Sequence, residues 1–426
     1  MGKVSFIAGG GANNIGGSFY VLKVGDINIG LEFGANLGGW EGIEPVHNIV
    51  PHLDYLLLSH AHFDHIGLLP IALRKFPGVK IFASPETKEL GRILWRQTLR
   101  KAVIDGVTPP FTEEESNNAY EAVNVLPFKD EIRLAGDRII VYPVPAGHIL
   151  GSLSFLIIID GKFYFFTGDL CPRDRSLIKS AMKIGLEKCK LLIRESTYIN
   201  ERFKKSRAEE IDNLVNFANK TIKRRGKVLI AALSIDRAQD IFSICHEAGL
   251  GPIYLDGSRN VFEIYRRFLS GAEVLGNARW FRSEWERKNF SRSSEPAIVI
   301  ASSGMMYKGS PSAILAGDMV YKEENAVALV NYQDPSGQGH LLANAKKGQV
   351  ILFNGSSVRV KCEVRQFNFS AHMDGKEGEE LEERTNPETI IYVHGEDRKI
   401  DEYIGRHKDG RRRIKAVVGK EVDING

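Results

Sequence analysis

No apolar run in this 426-residue chain approaches the roughly 18 residues needed to cross a bilayer; the longest, such as Leu153 to Ile159, stop at a charge such as Asp160. The amino-terminal stretch MGKVSFIAGGG lacks both a hydrophobic segment and a cleavage pattern of the kind that directs export, so secretion is not expected. Cysteine is scarce: Cys171, Cys189, Cys245 and Cys362 lie far apart and form no CxxC pair. A disulfide framework and a cysteine zinc site are thereby disfavoured, and the cytoplasm is the expected compartment. An excess of one charge is lacking too, since 57 Lys and Arg stand against 53 Asp and Glu, a formal +4. That balance does not by itself announce a nucleic-acid partner, and any basic groove must be local. Internal repeats and low-complexity tracts are absent.

What is present is an ordinary globular composition, 43% hydrophobic and 26% charged, long enough for two or three domains. The first 170 residues read as short strands broken by glycine turns: Ser18 to Leu22, Ile27 to Glu32, Tyr55 to Leu58, Val79 to Ala83, Arg138 to Val144, Ser152 to Ile159 and Lys162 to Thr167. A helix is expected around Glu86 to Val103, giving a sheet-rich α/β layered domain. From about residue 200 the pattern changes. Helical Arg207 to Arg225 is followed by the aliphatic run Lys227 to Leu233 and the amphipathic Asp236 to Ala248; Pro252 to Leu255, Ala297 to Ala301 and Ala326 to Asn331 then recur between helical segments. This alternation predicts a doubly wound parallel sheet. Strand-like stretches return after about residue 350, ending in Thr389 to Val393, and the polar Ser291 to Ser294 reads as a mobile loop.

The sharpest local feature is His60-Ala61-His62-Phe63-Asp64-His65, directly after the apolar Tyr55 to Ser59. Four side chains able to ligate a first-row metal, set at a strand end, can face one point, and imidazoles with a carboxylate suit zinc. Such a site needs distant partners to complete its charge and orient its rings. Candidates stand at two strand-to-loop transitions, His148 in Gly147-His148-Ile149-Leu150-Gly151-Ser152 and Asp169 in Phe166-Thr167-Gly168-Asp169.

With these residues in order, the sequence resembles the metallo-β-lactamase superfamily, whose five motifs run acidic residue, HxHxDH, His, Asp, His. The first motif usually ends an apolar strand with Asp-x-Gly; here Ile29-Gly30-Leu31-Glu32-Phe33-Gly34 puts Glu32 at that place, where the resemblance implies a carboxylate supporting the ligand loop from behind. Three further stretches, Arg194-Glu195-Ser196-Thr197-Tyr198, Phe369-Ser370-Ala371-His372-Met373-Asp374 and Tyr392-Val393-His394-Gly395-Glu396, look like motifs A, B and C of the β-CASP nucleases. That group includes RNase J and the endonuclease of the eukaryotic polyadenylation machinery. Asp236-Arg237-Ala238-Gln239-Asp240 and Ala301-Ser302-Ser303-Gly304-Met305 are similar to segments that recur in its inserted domain, so the resemblance covers almost the whole chain. His at the third of these motifs, here His394, is typical of RNA-acting members, and the His148 segment resembles the polyadenylation branch more than RNase J.

The resemblance implies a metallo-β-lactamase αββα sandwich from residues 1–198 and 351–426, with a β-CASP domain inserted at 199–350. It implies two zinc ions, one on His60, His62 and His148, the other on Asp64, His65 and His394, with Asp169 bridging. Asp64 counts among the catalytic residues on this reading, His372 would protonate the departing oxygen and Glu195 would orient His372. The implied reaction is hydrolysis of single-stranded RNA to 5′-phosphate and 3′-hydroxyl ends, endonucleolytic first, with 5′-to-3′ exonucleolytic trimming as a second activity. Leu233-Ser234, Asp256-Gly257 and Ser302-Ser303-Gly304 stand at strand ends, where ligands of doubly wound sheets bind. Ser302, Ser303 and Gly304, taken to lead into a helix, are the candidate substrate contacts through their backbone N–H groups. Other readings remain open: a small-molecule hydrolase of thioesterase or lactamase type, a DNA nuclease, a non-catalytic RNA-processing subunit, and free-standing RNA binding, which the short stretches before Glu32 and after His394 disfavour. The expected partners are single-stranded RNA and a homodimer or RNA-processing complex, with no membrane. His47, His52, His246, His340 and His407 lack such context and are expected in surface or structural roles. The run Arg411-Arg412-Arg413-Ile414-Lys415 reads as a solvated basic edge with one face able to follow a phosphate backbone.

Overall fold

Val4–Gly10 is a strand (β1) buried along its whole length. The computed structural model describes residues 3–37, 39, 40, 42–44, 48–126 and 130–425, and these divide into two compact units.

The first unit contains two seven-stranded sheets. In one, β1 pairs antiparallel with β2 (Phe19–Val24) and with the two-residue β22 (Val422–Asp423), and β2 with β3 (Ile27–Leu31). Parallel pairs then lead from β3 through β4 (Tyr55–Leu57) and β5 (Lys80–Ala83) to β6 (Val123–Val125). The other sheet runs in the order β21 (Arg412–Lys415), β20 (Pro387–Val393), β11 (Cys189–Glu195), β10 (Lys162–Phe166), β9 (Leu153–Ile159), β8 (Ile139–Pro145) and β7 (Ile132–Leu134). Alternating side chains from both sheets meet in one core: Phe6, Leu22 and Leu31 from the first pack with Val141, Phe155, Ile157, Ile193 and Ile391 from the second.

Helix Pro85–Asp105 packs beside the first sheet. Ser84 caps it by accepting from the Thr87 amide, and its buried Trp95 donates to the Ile66 carbonyl at 2.9 Å. Helices Gly375–Thr385 and Asp397–Arg406 cover the second sheet, with Leu381, Ile400 and Tyr403 packed against Leu192, Ile390 and Tyr392. The result is an αββα sandwich.

A buried ion pair lies inside that layer. Arg194 of β11 is 1% exposed and donates to Glu382 at 2.6 Å; Arg413 donates to the other Glu382 oxygen at 2.6 Å. The guanidinium lies so close under helix Gly375–Thr385 that a Cβ at Gly378 would come within 2.2 Å of Arg194 Nη2.

The second unit comprises Arg175–Leu177 and Phe203–Ser370. Its six-stranded sheet has the order β14 (Arg279–Trp280), β13 (Ile253–Asp256), β15 (Ala297–Ala301), β12 (Lys227–Ala231), β16 (Ala326–Leu329) and β19 (Glu363–Gln366), every pair parallel. Leu229 and Val299 pack with helix Pro311–Met319. Their neighbours Val228, Ile230, Ile298 and Ile300 are buried on the opposite face, and helices Arg207–Lys223 and Arg237–Glu247 also pack on the sheet. This is the doubly wound pattern the alternating sequence predicts.

The second unit runs on to Ser370, past residue 350, because the hairpin of β17 (Val350–Phe353) and β18 (Ser356–Arg359) packs into its core and β19 pairs with β16. A second departure concerns Ser291 to Ser294. Helix Glu284–Arg292 extends through Ser291, which is 2% exposed and donates its hydroxyl to the Arg287 carbonyl, so its first two residues are helical rather than loop. No helix among the described residues is long and apolar enough to cross a membrane.

Candidate metal centre

The ligand residues come from loops at the strand ends of the first unit. β4 leads through Leu58 and Ser59 into His60, and the single helical turn Phe63–Ile66 turns His65 back toward the same point. That turn packs tightly on the segment after β3: a Cβ at Gly34 would lie 1.8 Å from the Asp64 carbonyl oxygen, so only glycine fits there. Glu32 precedes it at φ 65°, accepts from the Ser59 amide at 3.2 Å and places its other oxygen 3.4 Å from His65 Nδ1. Its longer side chain thus still reaches the ligand loop.

Two clusters share one carboxylate. His60 Nε2 and His148 Nε2 lie 3.1 and 3.0 Å from His62 Nδ1. Asp169 Oδ2 is 3.5 Å from both His60 Nε2 and His148 Nε2 and 3.3 Å from His65 Nε2, while its Oδ1 is 3.4 Å from His394 Nδ1. On the second side, Asp64 Oδ2 is 3.1 Å from His394 Nε2 and 3.7 Å from His65 Nε2. The potential ligand atoms of His60, His62, His148 and Asp169 all fall within 4.8 Å of one another, as do those of Asp64, His65 and His394.

Groups behind the clusters hold the rings. Ser59 Oγ is 2.8 Å from His60 Nδ1, and the Ala371 carbonyl is 2.8 Å from His148 Nδ1. Ser152 Oγ accepts from the His148 amide at 2.9 Å. His394 sits at φ 52°, its amide donating to the Gly11 carbonyl at 2.7 Å.

Electrostatics sort these groups by role. Burial, reinforced by neighbouring imidazoles, pushes His60 and His148 well below the ordinary histidine value, which keeps them neutral and able to donate a lone pair. Burial works against the charge of Asp169, but His394 and His65 outweigh it and hold the carboxyl well below its ordinary range; Asp64 is lowered in the same way by His65 and His394. A cation suits this set. His65 Nδ1 and Nε2, Asp169 Oδ1 and Glu32 Oε1 are buried with no hydrogen-bond partner among the described residues, a costly condition that a metal at the clusters relieves for the atoms facing it.

Beside the clusters, His372 Nδ1 is 2.9 Å from Glu195 Oε2 and 3.9 Å from Asp169 Oδ2, and its side chain remains 20% exposed. Burial opposes its imidazolium, yet Glu195 and then Asp169 more than offset this and raise it above the ordinary value. Thr197 donates its hydroxyl to Glu195 at 2.6 Å and lies 3.2 Å from His394 Nδ1. Ser59, Ser152 and Thr197 carried no signal beyond adjacency to the metal-type motifs.

Ser302, Ser303 and Gly304 belong to the second unit, and they do not open a helix as expected. The next helix begins at Pro311, and its first turn is already engaged: the Ser312 amide donates to the Ser302 carbonyl at 2.7 Å, the Ala313 amide to Ser310 Oγ at 3.4 Å, and the Ser312 hydroxyl to the Ser303 carbonyl at 2.6 Å. Leu233-Ser234 follows β12, Asp256-Gly257 ends β13 and Ser302 follows β15, so they share the C-terminal edge of the parallel strands β13, β15 and β12. Of the remaining histidines, His407 Nδ1 is 2.8 Å from the Tyr403 carbonyl and His246 Nε2 is 3.0 Å from Asn277 Nδ2; His47 lies outside the described residues. In the basic run, Arg413 is occupied by Glu382 and Asp409, and Lys415 by Asp397 and Asp401.

An αββα sandwich with these side chains at its strand ends defines a metal-dependent hydrolase of metallo-β-lactamase type. Three family models match the chain: a metallo-beta-lactamase superfamily domain over residues 21–163, a Beta-Casp domain over 241–342 and a Zn-dependent metallo-hydrolase RNA specificity domain over 357–416. The chain belongs to the β-CASP family of that superfamily. Among curated proteins it is similar to a probable RNase of Methanocaldococcus jannaschii, 27% identical over 91% of this chain and 92% of that protein. It is also similar to RNase aCSPSF2 of Saccharolobus solfataricus, 26% identical over 91% and 78%, and to the endoribonuclease YSH1 of Gibberella zeae, 26% identical over 92% of this chain but only 53% of that longer protein. A solved structure of a protein of unknown function from Enterococcus faecalis V583 matches with a TM-score of 0.62 and 14% identity, over 99% of this chain and 100% of the other, a likeness of fold alone.

Proposed function

We propose that this protein is a zinc-dependent ribonuclease that hydrolyses phosphodiester bonds of single-stranded RNA to 5′-phosphate and 3′-hydroxyl ends. The observation that carries this reading is the convergence of His60, His62, His148, Asp64, His65 and His394 around the shared carboxylate of Asp169. The RNA-specificity model and the relatives named as ribonucleases support RNA as substrate. His60, His62 and His148 would hold one zinc ion and Asp64, His65 and His394 a second, with Asp169 facing both.

Metal ions bound there supply Lewis-acid neutralisation of the phosphodiester charge and activation of water. The chain's own groups do the rest. Glu195 fixes the His372 ring through Nδ1 and is itself fixed by the Leu170 amide at 2.9 Å and by the Thr197 hydroxyl. His372 Nε2, the ring nitrogen away from Glu195, is the atom proposed to deliver a proton to the departing 3′ oxygen while the oxygen of water stays on phosphorus as the new 5′-phosphate. Glu32 and Ser59 keep the ligand loop in place, and Ser302, Ser303 and Gly304 remain the proposed substrate contacts.

We assign endonucleolytic cutting as the basic activity, with 5′-to-3′ trimming second, acting in the cytoplasm as a homodimer or in an RNA-processing complex. The test is incubation of the purified protein and its His62→Ala form with 5′-labelled and 3′-labelled RNA. Fragments ending in 3′-hydroxyl from the native protein and none from the variant are expected. Equal turnover of a matched DNA strand, or thioester hydrolysis without RNA cleavage, would overturn the reading.

A further inference from the structure

The main chain around His372 is gripped by the short segment that follows the shared carboxylate. Leu170, next to Asp169, donates its amide to Glu195 at 2.9 Å and accepts at its carbonyl from the Met373 amide at 2.8 Å. Three residues on, Arg173 donates from Nη2 to the His372 carbonyl at 2.5 Å and from Nη1 to Glu377. Glu377 closes the capping box of helix Gly375–Thr385, accepting from the Asp374 amide at 2.9 Å through the same oxygen that Arg173 engages. All of these residues belong to the first unit.

Residues 371–373 lie in neither a helix nor a strand, so regular backbone pairing does not set their direction. Each peptide is braced separately instead. The Ala371 carbonyl lies 2.8 Å from His148 Nδ1, the His372 carbonyl accepts from Arg173, and the Met373 amide donates to Leu170. Of these braces, the guanidinium is a side chain with no part in the reading above. Its planar fork lets two nitrogens reach a carbonyl and a carboxylate at once, which the single ammonium of a lysine does less well.

The geometry points to Arg173 as a positioning residue for the proton transfer, holding the His372 peptide so that the ring, turned by Glu195, presents Nε2 to the departing oxygen. This rests on the role given to His372 under the proposed function. Arg173 touches no reacting atom and acts through His372. Glu195 sets the rotation of the ring, whereas Arg173 sets the point from which the side chain starts. Without that anchor the hydrogen bond to Glu195 survives in a shifted pose, and a shift of about 1 Å can cost roughly 10²-fold in rate.

The experiment compares the native chain with Arg173→Ala, Arg173→Lys, His372→Ala and the double variant Arg173→Ala/His372→Ala on two substrates. One is single-stranded RNA, whose 3′ oxygen needs a proton to leave; the other is bis(para-nitrophenyl) phosphate, whose nitrophenolate leaves without one. Arg173→Ala should lose roughly 10–100-fold on RNA, in kcat rather than KM, with native metal content and a much smaller loss on the nitrophenyl ester. Arg173→Lys should recover part of the loss, since it keeps a donor and the charge but not the fork. In the His372→Ala background the Arg173→Ala change should cost nothing more, because groups that act as a unit are not additive.

The proposal is wrong if Arg173→Ala cuts RNA at the native rate, if both substrates slow equally, or if the two single losses multiply in the double variant. A native protein that cuts no RNA fails the function reading instead, and a readout without turnover then decides. With isotope-labelled histidine, the His372 ring signals are identified by their absence in His372→Ala. Arg173→Ala should shift or broaden them while those of His246, in the second unit, stay in place; unmoved His372 signals overturn the positioning role whatever the activity. Should Arg173→Ala fail to fold, Arg173→Met, which keeps most of the stem, takes its place in every comparison.

Discussion

At the scale of single residues, the proposed centre separates groups that would hold metal from a group that would move a proton. His372 contacts Glu195 at 2.9 Å but lies 3.9 Å from the shared Asp169, so its removal should leave the ligand clusters intact. His372→Ala is expected to keep its metals while losing about 10²–10⁴-fold in rate, the usual worth of a general acid. Loss of zinc together with activity would make it a ligand or an essential support. Asp169→Ala should behave differently, because one carboxylate faces both clusters: elemental analysis should find two zinc ions per native chain and a loss at both positions in the variant. An unchanged metal content in that variant would refute the shared role.

Among the elements, β11 shows why part of the fold was legible and part was not. The HxHxDH segment announces itself because all its information is local, four ligand-type residues after one apolar strand. β11 hides. Its sequence CKLLIRE carries Lys190 and Arg194 in a strand whose Arg194 is buried, and the carboxylate that makes this tolerable, Glu382, is 188 residues further on. β1 and β22 escaped for a related reason: the latter is two residues long and exists only through its pairing with β1. The hairpin β17–β18 continues the strand-like stretches after residue 350, and its membership of the second unit rests on packing partners that its own sequence does not reveal.

The Arg194–Glu382 pair also yields a prediction about stability. Removing the carboxylate in Glu382→Ala should cost about 3–5 kcal/mol, since it strands a buried guanidinium. Burial works against the Glu382 carboxylate, but Arg194 and then Arg413 more than offset it and hold its pKa below the ordinary value. Its stabilising contribution is thus fully present above the unfolded-state value of about 4.3 and is lost as pH falls through the lower folded-state value. Urea unfolding of native protein and Glu382→Ala should accordingly converge on acidification. Gly378→Ala should destabilise at every pH, as its Cβ meets Arg194.

For the whole molecule, cutting mode is the property furthest from any single residue. A circular single-stranded RNA should be cleaved to linear form, since an internal cut needs no chain end. Survival of the circle beside stepwise decay of a linear 5′-monophosphorylated RNA would assign exonuclease activity instead. The order of strands in the second sheet of the first unit carries a further consequence, one of timing. β11 ends at Glu195, but its parallel neighbour β20 begins at Pro387 and delivers His394 only at its far end. At a synthesis rate of about 5–20 residues per second, the nascent chain waits roughly 10–40 seconds with one edge of that sheet unpaired and the second ligand cluster unfinished. The inserted unit, whose strands all lie between those two, can complete itself in the interval. A growing chain on the ribosome therefore carries the histidines of HxHxDH long before it can hold the full ligand set.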